Sequence, residues 1–340
     1  MRPTSKDLAV AAGVSLATVD RVLNGRSGVH HKTVSAVNEA IRKIGFERNQ
    51  LAAMLARRRG YRFGFVLPQD GDEFLAEITH HIAEINDAGR AEMIEVRALA
   101  VDEHDPHRVA QFLTGLEAED YDGVAIMAPE TPQIRDAIRR MRERNIHTIA
   151  FVSNQQDSLS GSFVGIDNTA AGATAGRLMG RFAGRRSGAI AVVTDTMQSR
   201  DSLERRLGFD AIVNRLYPQL TVLPSLETYS DPERAFQIIK TTLAAHAHLV
   251  GLYIMGSEAR LPLEALAATS DTAHLITIAH ERTPATLAAL RSDSLDAVIT
   301  QDPGHLVRSA VRILRAKCEN RQTVASQEKI RIEILMLENL

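Results

Sequence analysis

The sequence predicts a small all-α helix-turn-helix domain followed by an α/β body of two doubly wound parallel-sheet lobes. Three observations carry that expectation. The first 59 residues hold 11 Lys and Arg against 4 Asp and Glu, net +7, while the 340-residue chain as a whole is −2, which leaves the remaining 281 residues at −9. Residues 7–24 read Asp7-Leu8-Ala9-x-x-Ala12-Gly13-Val14-Ser15-x-x-Thr18-Val19-x-Arg21-Val22-Leu23-Asn24, two short amphipathic segments around a glycine. From Tyr61 onward, short apolar runs alternate with helical patterns, as parallel strands with right-handed crossovers require. A basic body concentrates at duplex phosphates by releasing counterions. The acidic body must do something else.

Composition narrows the classes. A chain of 340 residues exceeds what one core organises, so two or three domains are expected. Cys318 is the only cysteine, which excludes a disulfide framework and cysteine-based metal sites and fits a reducing cytoplasm. Met1-Arg2-Pro3-Thr4-Ser5-Lys6 leads into a polar helix rather than a signal-peptide core. No apolar run approaches the roughly 20 residues of a membrane span. A cytoplasmic protein with no membrane partner is expected.

In the head, Ser5 is positioned to cap a helix with Leu8, Ala9, Ala11 and Ala12 as its apolar positions, and Gly13 to end it. Ser15 then caps a second helix whose buried face is Val19, Val22 and Leu23. Two short helices around such a turn form a helix-turn-helix, whose second helix puts its N-terminal end into the major groove. Leu16, Ala17, Asp20 and Arg21 face outward. With Ser15, Thr18 and Asn24 they make the candidate DNA-contacting set. An outward Arg21 suits a bidentate pair with guanine O6 and N7, and Leu16 and Ala17 suit a thymine methyl. The alternative is a solvated arginine on an ordinary three-helix bundle. A third helix starts at Thr33, places Val34, Val37, Ile41 and Ile44 on one face, and stops at Gly45.

The segment that follows, Phe46-Glu47-Arg48-Asn49-Gln50-Leu51-Ala52-Ala53-Met54-Leu55-Ala56-Arg57-Arg58-Arg59, together with the helix-turn-helix, resembles the LacI/GalR family of bacterial transcription regulators. The resemblance implies a head at 1–48 and a hinge helix within 49–60 that folds on operator DNA, with Asn49, Ala52 and Leu55 at the minor groove and Leu55 as the wedge. Apolar wedges do kink duplexes from that side. Two departures leave the operator sequence open. Asp20 stands where the family usually has Ser, and Ala17 lacks a hydrogen-bonding side chain.

In the body, strands are expected at 63–67, 92–98, 123–127, 147–152 and 162–166, with helices at 74–88 and 106–116. After a helix at 170–182 a second series follows at 189–193, 222–226, 251–255, 275–279 and 297–300. Ligands of such sheets bind beyond the carboxyl ends of the strands. The whole of 61–340 resembles the type I periplasmic-binding-protein fold with which the same family senses effectors. That implies an N-lobe at about 61–167 and 302–324 and a C-lobe at about 168–301 and 325–340. The resemblance implies an effector site of Asp70, Asp72, Phe74, Ser153, Arg205, Tyr229, Glu281 and Gln301. Carboxylates, an arginine and a glutamine near aromatic faces suit a polyol. Val152, where sugar-binding members often have Asp, and Gly256-Ser257-Glu258, in place of the usual Asn-Asp stretch, depart from the pattern. Each site residue also has a bland reading: Arg205 paired with Glu204 on an exposed helix, Glu281 as a helix cap, Tyr229 as core.

His80-His81 near Glu77 and Glu84 do not make a metal site, because adjacent helical side chains diverge by about 100°. Gly172-x-x-x-Gly176-x-x-x-Gly180 lacks dinucleotide-turn spacing and suits close helix packing. No cofactor, metal or catalytic residue is expected. The chain reads as a homodimeric repressor that binds a pseudo-palindromic operator and responds to a sugar, polyol or sugar phosphate. Its rivals are a transport-type sugar-binding protein, an enzyme on the same lobes, and a nucleoid-like DNA protein. Replacement of the wedge, Leu55→Ala, is expected to lower operator affinity and DNA bending together. Unchanged values for both in a gel-shift and circular-permutation assay would sink that assignment.

Overall fold

The structure, a computed structural model, describes residues 3–23, 28–46, 60–69, 71–89, 93–102, 105–155, 162–269, 272 and 274–340. The chain divides into two compact units, Met1–Gly60 and Tyr61–Leu340.

In the first unit, α1 spans Ser5–Ala12, and its N-cap is Thr4 rather than Ser5. Thr4 Oγ1 accepts from the Asp7 N–H while the Asp7 carboxylate accepts from the Thr4 N–H. A Thr-x-x-Asp spacing satisfies two backbone donors reciprocally, whereas Ser5 followed by Leu8 at the third position satisfies at most one. Gly13, at φ +65°, ends the helix in the left-handed region. Ser15 does cap α2 (Leu16–Leu23), accepting from the Thr18 N–H at 3.1 Å. The third helix, α3 (His31–Ile44), begins two residues ahead of Thr33 and stops at Gly45, φ +62°. Leu8, Ala9, Val19, Val37 and Ala40 form the buried centre, flanked by Val14, Val22, Ile41 and Phe46.

The second unit holds two sheets. The first has β1 (Tyr61–Pro68), β2 (Ile94–Val101), β3 (Gly123–Ile126), β4 (His147–Phe151) and β5 (Phe163–Val164) in the order β2-β1-β3-β4-β5, with every pairing parallel. Its helices are α4 (Glu73–Gly89), α5 (Pro106–Gly115) and α6 (Pro132–Glu143). Central β1 is buried at all but one position, as a sheet covered on both faces demands. After α7 (Asn168–Ala183) come β6 (Gly188–Thr194), α8 (Arg200–Leu216), β7 (Leu220–Glu227), α9 (Pro232–Ala245), β8 (Leu249–Ile254), α10 (Arg260–Ala267), β9 (Ile276–His280), α11 (Pro284–Arg291) and β10 (Ala297–Thr300). Then α12 (Pro303–Cys318), which follows β10 of the second sheet, packs on β1, β3, β4 and β5 of the first. β11 (Glu333–Leu335) returns to the second sheet antiparallel to β10, giving the order β11-β10-β9-β8-β6-β7.

Helix starts are written locally. Asp105-Pro106, Thr131-Pro132, Asp231-Pro232, Thr283-Pro284 and Asp302-Pro303 each pair a side-chain acceptor with a proline whose missing N–H costs the first turn nothing. The close approach of α7 and α8 depends on glycine. A Cβ at Gly172 would lie 1.8 Å from the Arg205 carbonyl oxygen, and one at Gly208 would lie 1.9 Å from that of Thr169. Both obstacles are backbone and neither helix can yield alone. The Gly172-Gly176-Gly180 row therefore packs α7 on α8, and the crossing sets where the Arg205 side chain emerges. Gly208→Ala is expected to cost about 3 kcal/mol, the upper range for overpacking. Urea denaturation within a few tenths of the parent's stability would contradict this.

Candidate effector site and DNA-contacting helix

On α2 the packing side and the reading side separate as a 3.6-residue period dictates. Val19 is buried against the head's core, whereas Ser15, Leu16, Ala17, Asp20 and Arg21 are exposed and Thr18 is half-buried. The Ser15 and Thr18 hydroxyls lie 2.8 Å apart. Asn24, Asn49, Ala52 and Leu55 lie outside the described residues.

In the body, Arg205, Glu281 and Gln301 converge. Arg205 reaches from α8, Glu281 follows β9 and Gln301 follows β10, and all three are at most 2 % exposed. Arg205 donates through Nη2 to Glu281 Oε1 at 2.7 Å, through Nε to Asn168 Oδ1 at 2.9 Å and through Nη1 to the Met255 carbonyl at 3.0 Å. Gln301 Nε2 donates to the same Glu281 oxygen at 3.3 Å. Glu281 Oε2 and Gln301 Oε1 are buried without a hydrogen-bond partner. Burial raises the Glu281 carboxyl above its ordinary range, against the downward pull of Arg205. Burial also works against the charge on Arg205, yet Glu281, Asp201 and Tyr253 carry the net direction upward.

The bland alternatives fail for two of these residues. Glu204 pairs with Arg200, not Arg205, and α11 is capped by Thr283, not Glu281. Tyr229 is not core either, being 53 % exposed with the Arg234 guanidinium 4.9 Å from its ring centre.

From the first sheet's side, Phe74 is fully buried at the start of α4, and Asp72 Oδ1 caps that helix by accepting from the Leu75 N–H at 2.9 Å. Burial raises the Asp72 carboxyl. The Ser257 hydroxyl faces it, and Asp195 repels it. Glu73 Oε2 accepts from the Ala285 N–H, joining the α4 start to the α11 start. The loop after β1 thus meets second-sheet strand ends. Asp70 lies outside the described residues. Ser153 is buried beyond β4, and its N–H donates to the Phe151 carbonyl at 2.6 Å, closing a three-residue turn around Val152.

Of the eight non-glycine residues with left-handed backbone among the described ones, four lie just past strand ends. Val152 (φ +59°), Glu281 (φ +62°), Tyr229 (φ +51°) and Ser230 (φ +54°) all hold left-handed backbone just past β4, β9 and β7. A β-branched valine there is a genuine outlier, and such strain clusters at ligand sites and switch regions.

Several participants had no signal in the sequence. Asn168 opens α7 and orients Arg205. Phe209 stacks on Tyr253 at 4.4 Å, and Tyr253 Oη lies 2.7 Å from His280 Nε2. Burial, then Arg205, holds the His280 imidazole well below its ordinary pKa, which keeps it neutral. Arg200 of α8 pairs with Glu130 at the start of α6, a second tie between elements of the two sheets. His80 and His81 both turn to Glu84, and among the described residues no group of three His, Cys, Asp or Glu side chains could hold a metal ion.

Removing Arg205 strands a buried carboxylate. Arg205→Ala is expected to destabilise the protein by about 3–5 kcal/mol, the range for breaking a buried pair from one side. Chemical denaturation showing a loss below 1 kcal/mol would mean that water replaces the guanidinium, and that the pair is not the closed network described.

A model of the periplasmic binding protein domain matches residues 63–322, and a model of the bacterial regulatory proteins of the lacI family matches residues 4–49. The HTH-type transcriptional regulator RegA of Clostridium saccharobutylicum is 27% identical over 238 residues, covering 68% of this chain and 69% of RegA. The maltose regulon regulatory protein MalI of Escherichia coli is 32% identical over 154 residues, 44% of this chain and 42% of MalI, so that match spans less than half of either protein. Among solved structures, an ABC transporter solute-binding protein of Burkholderia graminis in complex with D-arabinose superposes with a TM-score of 0.73 at 19% identity, covering 83% of this chain and 96% of the other. A LacI transcriptional regulator of Bacteroides fragilis reaches 0.72 at 19% identity, covering 83% and 98%. At that identity the likeness speaks for the fold. With no helix among the described residues long and apolar enough to cross a membrane, a helix-turn-helix head and a two-lobed body, the chain belongs to the lacI family of bacterial regulatory proteins, with a periplasmic binding protein domain as its body.

Proposed function

We propose that the protein is a cytoplasmic homodimeric repressor of carbohydrate-uptake or catabolic genes, which binds a pseudo-palindromic operator through two heads and releases or tightens it on binding a polyhydroxylated effector between the lobes. The observation that carries this reading is the pair of buried, unpartnered acceptors, Glu281 Oε2 and Gln301 Oε1, beside the Arg205 network at the carboxyl ends of β9 and β10. Buried polar atoms almost always have partners, so these await one. A polyol hydroxyl supplies it. On the head, exposed Arg21 and the exposed apolar pair Leu16 and Ala17 suit base edges in a major groove.

Regulation follows from linkage. If the effector prefers one arrangement of the lobes and the operator another, each alters the other's affinity by the same factor. The Arg200–Glu130 and Glu73–Ala285 contacts are the bonds such a rearrangement would break or make. The test is operator binding by fluorescence anisotropy with and without a panel of pentoses, hexoses, polyols and their phosphates, read beside thermal shift. A ligand at 100 times its Kd adds about 2.7 kcal/mol to native stability. The expected outcome is at least one compound that both raises the melting temperature and moves operator affinity. A compound that is bound and turned over without any effect on operator affinity would instead make the body an enzyme.

A further inference from the structure

The charges around the strand-end cluster do not balance. Burial raises both Asp72 and Glu258 above the ordinary carboxyl range, Asp195 raises Asp72 further, and Asp72 in turn raises Glu258 and Glu281. Among the described residues, two of these four carboxylates have an ion pair. Arg205 is committed to Glu281, and Arg260, 3.9 Å from Glu258, is shared with Glu264 on the exposed face of α10. Among the described residues no basic side chain pairs with Asp72 or Asp195. Their bonds come from neutral donors: the Leu75 N–H for Asp72 and the Ser230 hydroxyl for Asp195 at 2.9 Å.

Of the four buried side-chain atoms without a hydrogen-bond partner among the described residues, Glu281 Oε2, Gln301 Oε1, Gln155 Oε1 and His280 Nδ1, the first two belong to the cluster built on Arg205. Gln301 spends its Nε2 on Glu281, which fixes the amide so that Oε1 is the unpartnered end, and the free atom of Glu281 is a carboxylate oxygen. Both accept, so the missing group donates. A phosphate brings acceptors and negative charge into a poorly solvated acidic site, where like charges repel strongly. A metal ion lacks its ligand set among the described residues. Resting on the reading of this cleft as the effector site, we propose that its effector is an organic cation, a polyol or sugar bearing a protonated amine, with the ammonium directed to Asp72 and Asp195 and hydroxyls to Glu281 and Gln301. Phosphorylated sugars are excluded by the same charge.

The test uses the full-length protein and matched probes: D-glucosamine, D-glucose and D-glucose 6-phosphate, then 1-amino-1-deoxy-D-glucitol against D-glucitol. Within each set the amine is expected to bind at least tenfold more tightly than its neutral parent by thermal shift and calorimetry, with no binding of the phosphate. In Asp72→Asn, which keeps a helix-capping side chain, that preference falls toward parity. A neutral parent that binds as well as its amine and moves operator affinity leaves the cleft a sensor but overturns the amine assignment, as does binding of the phosphate. A second measurement needs no ligand. The Asp72 carboxyl is raised in the folded state, so its ionised form costs stability as the pH climbs above the ordinary carboxyl range, and Asp72→Asn is expected to raise the melting temperature of the unliganded protein by a few degrees at neutral pH and to lessen that pH-dependent loss. If the Asn variant melts at or below the parent with the same pH dependence, Asp72 is not an unbalanced charge and the proposal fails whatever the probes do.

Discussion

The body is organised around one buried guanidinium. Arg205 has three acceptors on three different elements: the Glu281 carboxylate after β9, the Asn168 side chain on α7 and the Met255 carbonyl after β8. Transfer of an arginine from water into a protein interior costs several kcal/mol unless its donors are met. The surroundings are built accordingly. Two helices approach to glycine distance so that α8 can present the side chain, and β9 continues into left-handed backbone so that Glu281 can meet it. The Phe209, Tyr253 and His280 rings pack on one another, and burial and Arg205 keep the imidazole neutral.

That network is also the basis for the sensing role proposed for the site. A fully satisfied ion pair would leave no orphaned atoms, yet among the described residues one oxygen of Glu281 and one of Gln301 find no partner, and no basic side chain pairs with Asp72. Unmet groups of this kind hold free energy that a ligand releases on binding. Strain at Val152, Glu281 and Tyr229 adds to it, since non-glycine left-handed backbone costs on the order of 1–3 kcal/mol per residue. Because Glu73, Ala285, Arg200 and Glu130 join elements of the two sheets near the same strand ends, what happens in the cluster bears directly on how the two sheets' elements meet.

Much of the fold was legible from local chemistry. Ser15 announces a helix start, and apolar runs such as Phe63 to Leu67 announce strands buried on both faces. These signals lie within a few residues of the structure they specify, which is why they survive in a single sequence. The slips were local too. Ser5 was expected to cap where Thr4 does, because a reciprocal box outranks a lone hydroxyl, and α3 begins at His31 before any capping side chain is met. The site positions Arg205 on α8, Glu281 after β9 and Gln301 after β10 follow from resemblance to a family, not from periodicity.

By itself the sequence determined that a basic helix-turn-helix head precedes an acidic α/β body, since charge partition, caps and hydrophobic period are properties of adjacent residues. Only the tertiary structure decided which charges meet. Arg205 is nearer in sequence to Glu204, but it pairs with Glu281, 76 positions away, because α8 turns Glu204 toward Arg200 and buries Arg205 against β9. The same holds for Asp72 and Ser257, for Glu73 and the Ala285 N–H, and for the two acceptors left unpartnered. Pairing in an interior is governed by distance and dielectric, and neither is a function of separation along the chain.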